Sequence, residues 1–370
     1  MTGDLRVALL AGDCPPVVCG VGDFTMRLAA GFRAAGATCE IWTRRTVRPP
    51  QPETRPSGVR SVVRTWRLAE SLRVWAHRAR LGPGVVHLQY EPYAFHFRWG
   101  PVGALALAAG TRVVTFHEPA AQNRRERARL RALCRLADAV VVNDQETEDY
   151  VRGLVATPPP VVTIGVGSNI EAPALATPLA TPGYLATFGI VKPHKGLELA
   201  IRSYGLLAAG LAPASPPPLL VAGAGAEGGF VEALAGLARE AGVAGSVRFL
   251  GAQTAEEIAT LLRDAALCLL PFPEGPSLRR TTLHSAWRYG CPVVTTPEQH
   301  RDPVLRTGLL FAAAPAATPD AVAATARALL ADPARRAALA DAGRGIARQF
   351  ATDVLVARHL ELYQRLQAGS

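Results

Sequence analysis

Short apolar runs alternate along the chain with longer stretches of helical periodicity. In the first half, the runs "RVALLAG", "VVHLQY", "RVVTFHE" and "AVVVND" are rich in Val, Leu and Ile. Stretches such as "FTMRLAAGFRAAG" and "ETEDYVRGL" lie between or after them and place apolar residues at helical spacing. Alternation of this kind predicts parallel sheets that are covered by helices on both faces.

A stretch rich in Pro and Thr, "IEAPALATPLATPGY", interrupts this alternation near the middle of the chain. The pattern then resumes with "LATFGIV", "LLVAGAG", "VRFLGA", "ALCLLPF" and "PVVTT", each followed by a helical segment except the last. The sequence therefore predicts an α/β protein of two Rossmann-like, doubly wound parallel-sheet domains with a cleft between them. In such sheets ligands bind outside the carboxyl ends of the strands, so the loops that follow the strands are the candidate sites.

Composition narrows the class of protein. The chain has 370 residues, of which 49% are apolar, and this is enough to form the cores of two domains. Its six cysteines form no C-x-x-C pair, which predicts reduced core thiols rather than disulfides or a metal site. The start lacks a signal-peptide pattern, and no apolar run is long enough to span a membrane, so we predict a soluble, unprocessed, cytoplasmic protein.

Positive charge is concentrated in the first half of the chain. Residues 1–160 hold 22 arginines against 14 acidic residues. They therefore carry +8 of the net charge of +10 of the whole chain. Such a surface attracts anionic partners such as lipid headgroups or anionic sugars, although solvated arginine-rich helices have the same composition. Nucleic acid is not predicted, because no DNA- or RNA-binding motif accompanies the charge.

One arginine-rich segment, Arg60 to Arg80, reads as an amphipathic helix with Trp66 and Trp75 at the boundary of its two faces. It predicts either an interfacial helix that contacts an anionic membrane or a helix packed on the core with an arginine-rich outside.

A G-x-G-x-x-G pattern occurs at Gly223, Gly225 and Gly228, between a strand and a helix. It raises the alternative of a dinucleotide-dependent oxidoreductase. However, that fingerprint follows the first strand of its domain, and here the run "LATFGIV" and a helix already precede it. The glycines are equally explained by a tight turn between strand and helix.

The chain contains only two lysines, Lys192 and Lys195, although it contains 38 arginines. Both lie in "GIVKPHKGLEL", a turn between a predicted strand and a predicted helix. Cations at a helix N-terminus are unfavourable by roughly 0.3–1 kcal/mol each unless an anion lies between them. A diphosphate would remove this penalty and accept charge-assisted hydrogen bonds. The turn therefore predicts an anion site; two solvated surface lysines are the alternative.

These residues and their surroundings resemble the family 4 retaining glycosyltransferases of the GT-B fold over almost the whole chain. The segments that carry the resemblance, in the family's order, are "PVVCGVGDFTMRLAAGF", "VVTFHE", "GIVKPHKGLELAI", "VRFLGAQTAEEIATLLRDAALCLLPF" and "SAWRYGCPVVTT". The end, "GIARQFATDVLVARHLELYQRL", resembles the terminal helices, the last of which crosses back onto the first domain. The resemblance implies an acceptor-side domain at 1–167, a linker at 168–183, a nucleotide-sugar donor domain at 184–348 and a returning helix at 349–370.

The resemblance also assigns roles to residues. It places Lys195 at the phosphate, His117 beside the sugar, and Gly20 and Gly22 where backbone approaches the donor diphosphate. Alternatively, His117 simply closes a strand with a satisfied hydrogen bond. The predicted catalytic residues are His117, Lys192 and Lys195. The predicted donor-binding residues are Gly20, Gly22, Lys192, Lys195, Gly251, Glu274, Ser277, Arg279, Arg280, Thr281 and Ser285. The predicted acceptor-side residues are Tyr90, Glu91, Tyr93 and His117, although packing alone would also explain the two tyrosines.

The sequence departs from the family pattern at three positions. The family's arginine ahead of the phosphate lysine is replaced by Ile190, and we expect Lys192 to supply the second charge. The two glutamates of the family's paired motif are replaced by Ser277 and Ser285. Glu274 either contacts the sugar by another path or is an ordinary loop carboxylate. We also expect Ser277 to cap the following helix, which places Arg279 and Arg280 in its first turn.

The resemblance therefore implies an enzyme that transfers a sugar from a nucleoside-diphosphate sugar to a glycan, lipid-linked or small-molecule acceptor. It implies retention of anomeric configuration. Because the sequence shows no divalent-metal motif, we expect no metal and no bound cofactor. The alternatives are a catalytically inactive sugar-nucleotide-binding protein of the same fold and the oxidoreductase discussed above. The nucleotide base, the sugar, the acceptor and the oligomeric state are not predicted.

Overall fold

A computed structural model describes residues 5–45, 58–82, 84–118, 123–172, 174–193, 195–211, 215–225, 228–299 and 302–369. The chain forms two compact units. Unit 1 extends to Val166 and resumes at Thr352, and unit 2 comprises Gly167–Ala351.

Unit 1 contains a parallel sheet of seven strands in the order β3-β2-β1-β4-β5-β6-β7. Strands β2 and β3 lie on one side of β1, and strands β4 to β7 lie on the other. The strand order therefore reverses between β1 and β4. Its elements before the chain passes into unit 2 are β1 Arg6–Ala11, α1 Gly20–Ala34, β2 Thr38–Arg44, β3 Val59–Val63, α2 Ser71–Leu81, β4 Val85–Tyr90, α3 Gly100–Ala106, β5 Thr111–Phe116, α4 Arg124–Leu136, β6 Ala139–Val142, α5 Gln145–Arg152 and β7 Val161–Thr163.

Unit 2 contains a parallel sheet of six strands in the order β10-β9-β8-β11-β12-β13. The order reverses between β8 and β11, which pair directly. Its elements are β8 Leu185–Phe188, α6 Leu197–Ala209, β9 Leu219–Ala222, α7 Phe230–Glu240, β10 Val247–Gly251, α8 Ala255–Asp264, β11 Leu267–Leu270, α9 Thr281–Arg288, β12 Val293–Thr295, β13 Ala312–Ala313, α10 Pro319–Leu330 and α11 Pro333–Ala347. The predicted pair of parallel α/β domains is confirmed.

The central strands are buried over their whole length because helices cover both of their faces. Every residue of β4, β6, β8 and β11 is buried. The six cysteines are free thiols, and all of them except Cys19 are buried. None of the described helices is both long enough and apolar enough to cross a membrane.

The predicted helix over Arg60 to Arg80 is wrong in its first half. Val59–Val63 forms strand β3, and helix α2 begins only at Ser71. The carboxylate of Glu70 accepts hydrogen bonds from the backbone N–H groups of Arg64 and Thr65, which fixes a turn between the two elements. Trp66 lies in this turn with a φ of 55° and is buried in the core rather than at a helix boundary.

The last helix, α12 Thr352–Ala368, belongs to unit 1, as the predicted returning helix required. The guanidinium of Arg27 on α1 donates to Thr352 Oγ1 at 2.9 Å and to the carbonyl of Val166 at 3.2 Å. One side chain therefore holds the point where the chain leaves unit 1 and the point where it returns.

Buried polar groups fix α12 against the sheet. His87 on β4 contacts Tyr363 Oη at 2.6 Å and Thr115 Oγ1 at 2.7 Å. Burial lowers the pKa of His87 well below its usual value, and burial also lowers the pKa of His359 to about 4. These imidazoles are therefore neutral in the folded protein at neutral pH.

We expect the folded state to lose stability between about pH 6.5 and pH 4, because unfolding exposes histidines that then bind protons. A histidine with a lowered folded pKa costs stability as the pH falls below its unfolded pKa of about 6.5. For His359, whose folded pKa is about 4, the loss at about pH 5 is about 2 kcal/mol. Urea titrations near pH 7 and pH 5 measure this difference in the free energy of unfolding. The variant His359→Gln should lose about 2 kcal/mol less than the wild type over this range; an equal loss in both proteins would contradict the assignment.

Candidate functional site

The reversal of strand order in unit 2 places two loops side by side at the carboxyl edge of its sheet. One follows β8 and contains both lysines; we call residues 189–196 the lysine loop. The other follows β11 and covers residues 271–280. The two loops approach so closely that a Cβ atom on Gly196 would lie 2.2 Å from the carbonyl oxygen of Pro271. Gly196 also has a φ of 86°, so both its conformation and its surroundings require glycine.

The loop after β9 packs against the other side of the lysine loop. The backbone N–H of Val191 donates to the carbonyl of Ala224 at 2.8 Å. A Cβ atom on Gly223 would lie 1.9 Å from the carbonyl oxygen of Gly189. The first glycine of the G-x-G-x-x-G pattern therefore serves the packing of two loops, which accounts for it without a dinucleotide. Gly251, at the end of β10, accepts a hydrogen bond from the N–H of Gly223 at 2.8 Å.

The lysine loop leads directly into a helix N-terminus. Helix α6 begins at Leu197, with Gly196 as its N-cap residue and no side chain capping it. Both Lys192 and Lys195 are exposed. The neighbouring His194 of the "KPHKG" turn lies outside the described residues. Two exposed ammonium groups in the loop that leads into a helix N-terminus form a locally positive site that suits an anion.

The loop after β11 adds a third cation. Arg280 lies over the ring of Phe272, with its guanidinium carbon 5.5 Å from the ring centroid, and donates to Glu274 Oε2 at 2.6 Å. The predicted capping role of Ser277 is wrong: α9 begins at Thr281, and Arg280 is its N-cap residue. The reason is a turn closed by the N–H of Arg280 and the carbonyl of Ser277, which delays the start of the helix. Arg279, like Arg280, thus precedes the helix and is half-buried.

The two serines that replace the family's glutamates have different surroundings. Ser285 on α9 shares a hydrogen bond of 2.8 Å with Ser168 and donates to the carbonyl of Thr281. Ser168 also binds the backbone of Ile170, so Ser285 helps to fix the segment that leads into unit 2. By contrast, the hydroxyl of Ser277 is buried and has no hydrogen-bond partner among the described residues. A buried hydroxyl without a partner is unfavourable, so Ser277 is the better candidate for a ligand contact.

In unit 1, His117 follows β5 and is buried between two amide side chains. Asn143 Nδ2 donates to its Nδ1 at 3.1 Å, so Nε2 carries the proton and donates to Gln89 Oε1 at 2.8 Å. Burial lowers the pKa of His117 to about 3, which makes the imidazole neutral and a weak base at neutral pH. The remaining amide atoms, Gln89 Nε2 and Asn143 Oδ1, are buried without a hydrogen-bond partner among the described residues.

The glycine-rich turn of unit 1 lies at its own reversal of strand order. Helix α1 begins at Gly20, and a Cβ atom on Gly22 would lie 2.5 Å from the carbonyl oxygen of Asp13 in the loop after β1. The carboxylate of Asp13 forms an ion pair with Arg44. Gly22 therefore permits the helix to pack against the loop that precedes it.

The predicted acceptor-side residues separate into a core group and an exposed group. Tyr90 is buried, stacks on Phe95 with 5.7 Å between ring centroids, and packs in the core, where burial raises its pKa to about 12. Glu91 accepts from the N–H groups of Tyr93 and Ala94, and burial raises its pKa. Tyr93 is exposed and contacts the edge of a phenylalanine ring. Glu91 and Tyr93 therefore remain accessible candidates, whereas packing accounts for Tyr90.

Sequence reasoning missed several residues at these sites. The sequence pattern gave no signal for four of them: Phe272 beneath Arg280, Ser168 beside Ser285, and Gln89 and Asn143 beside His117. The position of Gln89 and Asn143 at or just after strand ends was the only available indication. The described residues contain no group of three or more His, Cys, Asp or Glu side chains that could hold a metal ion.

Two family models match the chain. The model described as "Glycosyltransferase Family 4" matches residues 18–171, and the model described as "Glycosyl transferases group 1" matches residues 182–332. None of the curated proteins matches the sequence.

Solved structures share the fold at low sequence identity. A sucrose-phosphate synthase from Thermosynechococcus elongatus is 19% identical with a TM-score of 0.81, over 99% of this chain and 100% of that one. The Anabaena protein HepE, solved with UDP and glucose, is 15% identical with a TM-score of 0.76, over 98% and 100%. The pneumococcal O-GlcNAc transferase GtfA, solved with UDP and GlcNAc, is 10% identical with a TM-score of 0.75, over 98% and 99%.

The two parallel-sheet units and these structural neighbours define the GT-B fold, which confirms the predicted fold class. The chain is a glycosyltransferase. Its first unit carries the family 4 domain and its second unit the group 1 domain, so it is a family 4-like enzyme.

We expect Gly196→Ala to destabilise unit 2, because the added methyl group would collide with Pro271 and the residue would retain a positive φ. The cost is expected to be at least about 1–3 kcal/mol, seen as a lower melting temperature. Gly245→Ala is the matched control, since a Cβ atom there meets nothing within 4 Å and φ is not positive. Equal melting temperatures for the two variants would show that the close approach of the two loops is not required.

Proposed function

We propose that this enzyme transfers a sugar from a nucleoside-diphosphate sugar to an acceptor with retention of anomeric configuration. The observation that carries the proposal is the lysine loop at the N-terminus of α6, packed between the loops after β9 and β11. This arrangement supports diphosphate binding, because it gathers cations and free helix N–H groups at one edge of the unit 2 sheet. UDP in the complexes of HepE and GtfA indicates the class of donor.

Charge separates when the donor's glycosyl–phosphate bond breaks. Breaking of the bond between the anomeric carbon and the diphosphate oxygen gives an oxocarbenium-like sugar and a more negative leaving phosphate. Lys192 and Lys195 would stabilise that negative charge together with the N–H groups at the start of α6. Lysine suits this role because its compact charge can follow a phosphate oxygen that moves as the bond lengthens. In the proposal these groups do what a divalent metal does elsewhere, so transfer would be independent of metal.

The loop after β11 would contact the donor next to the diphosphate. Arg280 is held by Glu274 and Phe272, so its guanidinium is positioned before a ligand arrives. Ser277 contributes a buried hydroxyl that lacks a partner among the described residues. We assign Arg279, Arg280 and Thr281 to the phosphate side and Ser277 and Glu274 to the sugar side. Ser285 is engaged with Ser168, and in this proposal it shapes the site rather than binding a hydroxyl group.

Unit 1 would contribute the acceptor contacts. His117 acts here as a positioning residue, because both ring nitrogens already contact side chains and its lowered pKa makes it a poor base. It orients Gln89 and Asn143, which present a donor and an acceptor atom of the kind that sugar hydroxyl groups need. Glu91 and Tyr93 are assigned to the acceptor, and Gly20 and Gly22 to the approach of the diphosphate to α1. We place the enzyme in the cytoplasm, in contact with the inner face of the membrane.

Incubation with a panel of UDP-, GDP- and ADP-sugars is expected to release the nucleoside diphosphate from one donor class, and excess EDTA should leave the rate unchanged. Lys195→Ala should lower that rate by about a hundredfold, the effect typical of removing one group that stabilises developing charge. Arg335→Ala, an exposed arginine on α11, is the control and should retain the wild-type rate.

Three results would contradict the proposal. Loss of activity in EDTA that Mg²⁺ restores would remove the metal-independent mechanism. Binding of a donor without any release, with or without acceptors, would favour the inactive sugar-nucleotide-binding alternative. A product of inverted anomeric configuration, read from the coupling constant of its anomeric proton, would contradict retention.

A further inference from the structure

Helix α2 and the turn before it carry an exposed row of apolar side chains. Leu68, Leu72 and Trp75 follow each other at the spacing of one helical face and are 59%, 64% and 52% exposed. We call these three residues the apolar row. Isolated exposed apolar residues are ordinary, but three large ones aligned on one helix face are typical of a contact surface.

Arginines outnumber carboxylates around the apolar row. Arg64, Arg67 and Arg73 are all exposed beside it. Helix α2 contains no acidic residue, and the carboxylate of the preceding Glu70 accepts from backbone N–H groups and lies 3.8 Å from the guanidinium of Arg73. The row and its border therefore combine apolar side chains with a net positive charge.

Helix α4 follows on the other side of α3, with Arg127 and Arg131 close to Asp149 of α5. Helix α3 packs against both α2 and α4, and Leu68 lies against α3 at Gly103. The single acidic residue of α4, Glu126, is fully buried. The exposed charged residues of α4 are all arginines: Arg124, Arg125, Arg127, Arg131 and Arg135.

We propose that the apolar row and the arginines of α2 and α4 form a docking surface for an anionic lipid bilayer. Leucine and tryptophan side chains insert at the boundary between headgroups and acyl chains, where tryptophan is especially favourable. Arginines remain at the level of the headgroups and pair with lipid phosphates, each adding attraction to an anionic surface. Nucleic acid accounts for the arginines but gives the apolar row no role, and a second copy of this positively charged surface would repel the first.

Sedimentation with vesicles tests this proposal on the full chain. The wild type should pellet with vesicles of equal parts phosphatidylglycerol and phosphatidylcholine, remain in solution with phosphatidylcholine alone, and be released by high salt. The double variant Leu72→Asp, Trp75→Asp should bind at least about tenfold more weakly, since burial of two large apolar side chains is lost. Leu309→Asp, which alters an exposed leucine of unit 2, is the matched control and should bind as the wild type does.

Tryptophan fluorescence gives an independent readout. Trp42, Trp66 and Trp287 are fully buried, so brominated lipids should quench only the exposed Trp75 and Trp99. Trp75→Phe should remove most of the quenching. Unchanged quenching in that variant, or equal pelleting with both kinds of vesicle, would overturn the proposal.

Two further outcomes identify other partners. Light scattering that shows a dimer in the wild type and a monomer in the double variant, without vesicle binding, would replace the membrane with a second copy of the chain. Salt-sensitive binding to double-stranded DNA without vesicle binding would replace it with nucleic acid. Release of nucleoside diphosphate from a donor, assayed without vesicles, should be normal in the double variant, so the membrane proposal and the proposed function fail separately.

Discussion

The candidate anion site of unit 2 depends on the close approach of three backbone segments at one edge of its sheet. Glycine at 196 allows the lysine loop to contact Pro271, and glycine at 223 allows the loop after β9 to contact Gly189. Side chains at either position would separate the loops and move the lysines away from the start of α6. The steric constraint thus determines where the charge lies, and the charge determines which ligand the site suits.

Positive charge on these neighbouring loops suits an anionic ligand. Lys192 and Lys195 lie on the lysine loop, and Arg280 lies on the loop after β11, where it donates to Glu274. Folding of unit 2 fixes these cations on neighbouring loops, and a bound diphosphate would accept charge-assisted hydrogen bonds from them. This is the usual form of preorganised electrostatic stabilisation, in which the protein does not have to rearrange while charge develops.

The sequence allowed the fold and the lysine loop to be predicted because both depend on local pattern. Alternating strands and helices predict parallel sheets, and the place of the lysines after a strand follows from the same pattern. Helix over Arg60 to Val63 was a wrong prediction, because pairing of β3 with β2 outweighed an apparent helical periodicity. A short strand beside a longer one gives little signal of its own in a single sequence.

The surroundings of the two serines could not be predicted, because they depend on contacts between distant residues. Ser285 binds Ser168, which is 117 positions away in the chain, and no local pattern links the two. The amide groups that hold His117 come from the ends of two other strands in the same way. His117 is buried and contacts both amides, which is why the proposal treats it as a positioning group rather than a ligand contact.

Thermal unfolding in the presence of UDP and GDP tests the central claim that the lysine loop binds a diphosphate. The account predicts that at least one of them raises the melting temperature of the wild type, that Lys195→Ala abolishes the rise, and that Arg335→Ala retains it. No rise with any nucleoside diphosphate, or an undiminished rise in Lys195→Ala, would contradict the account.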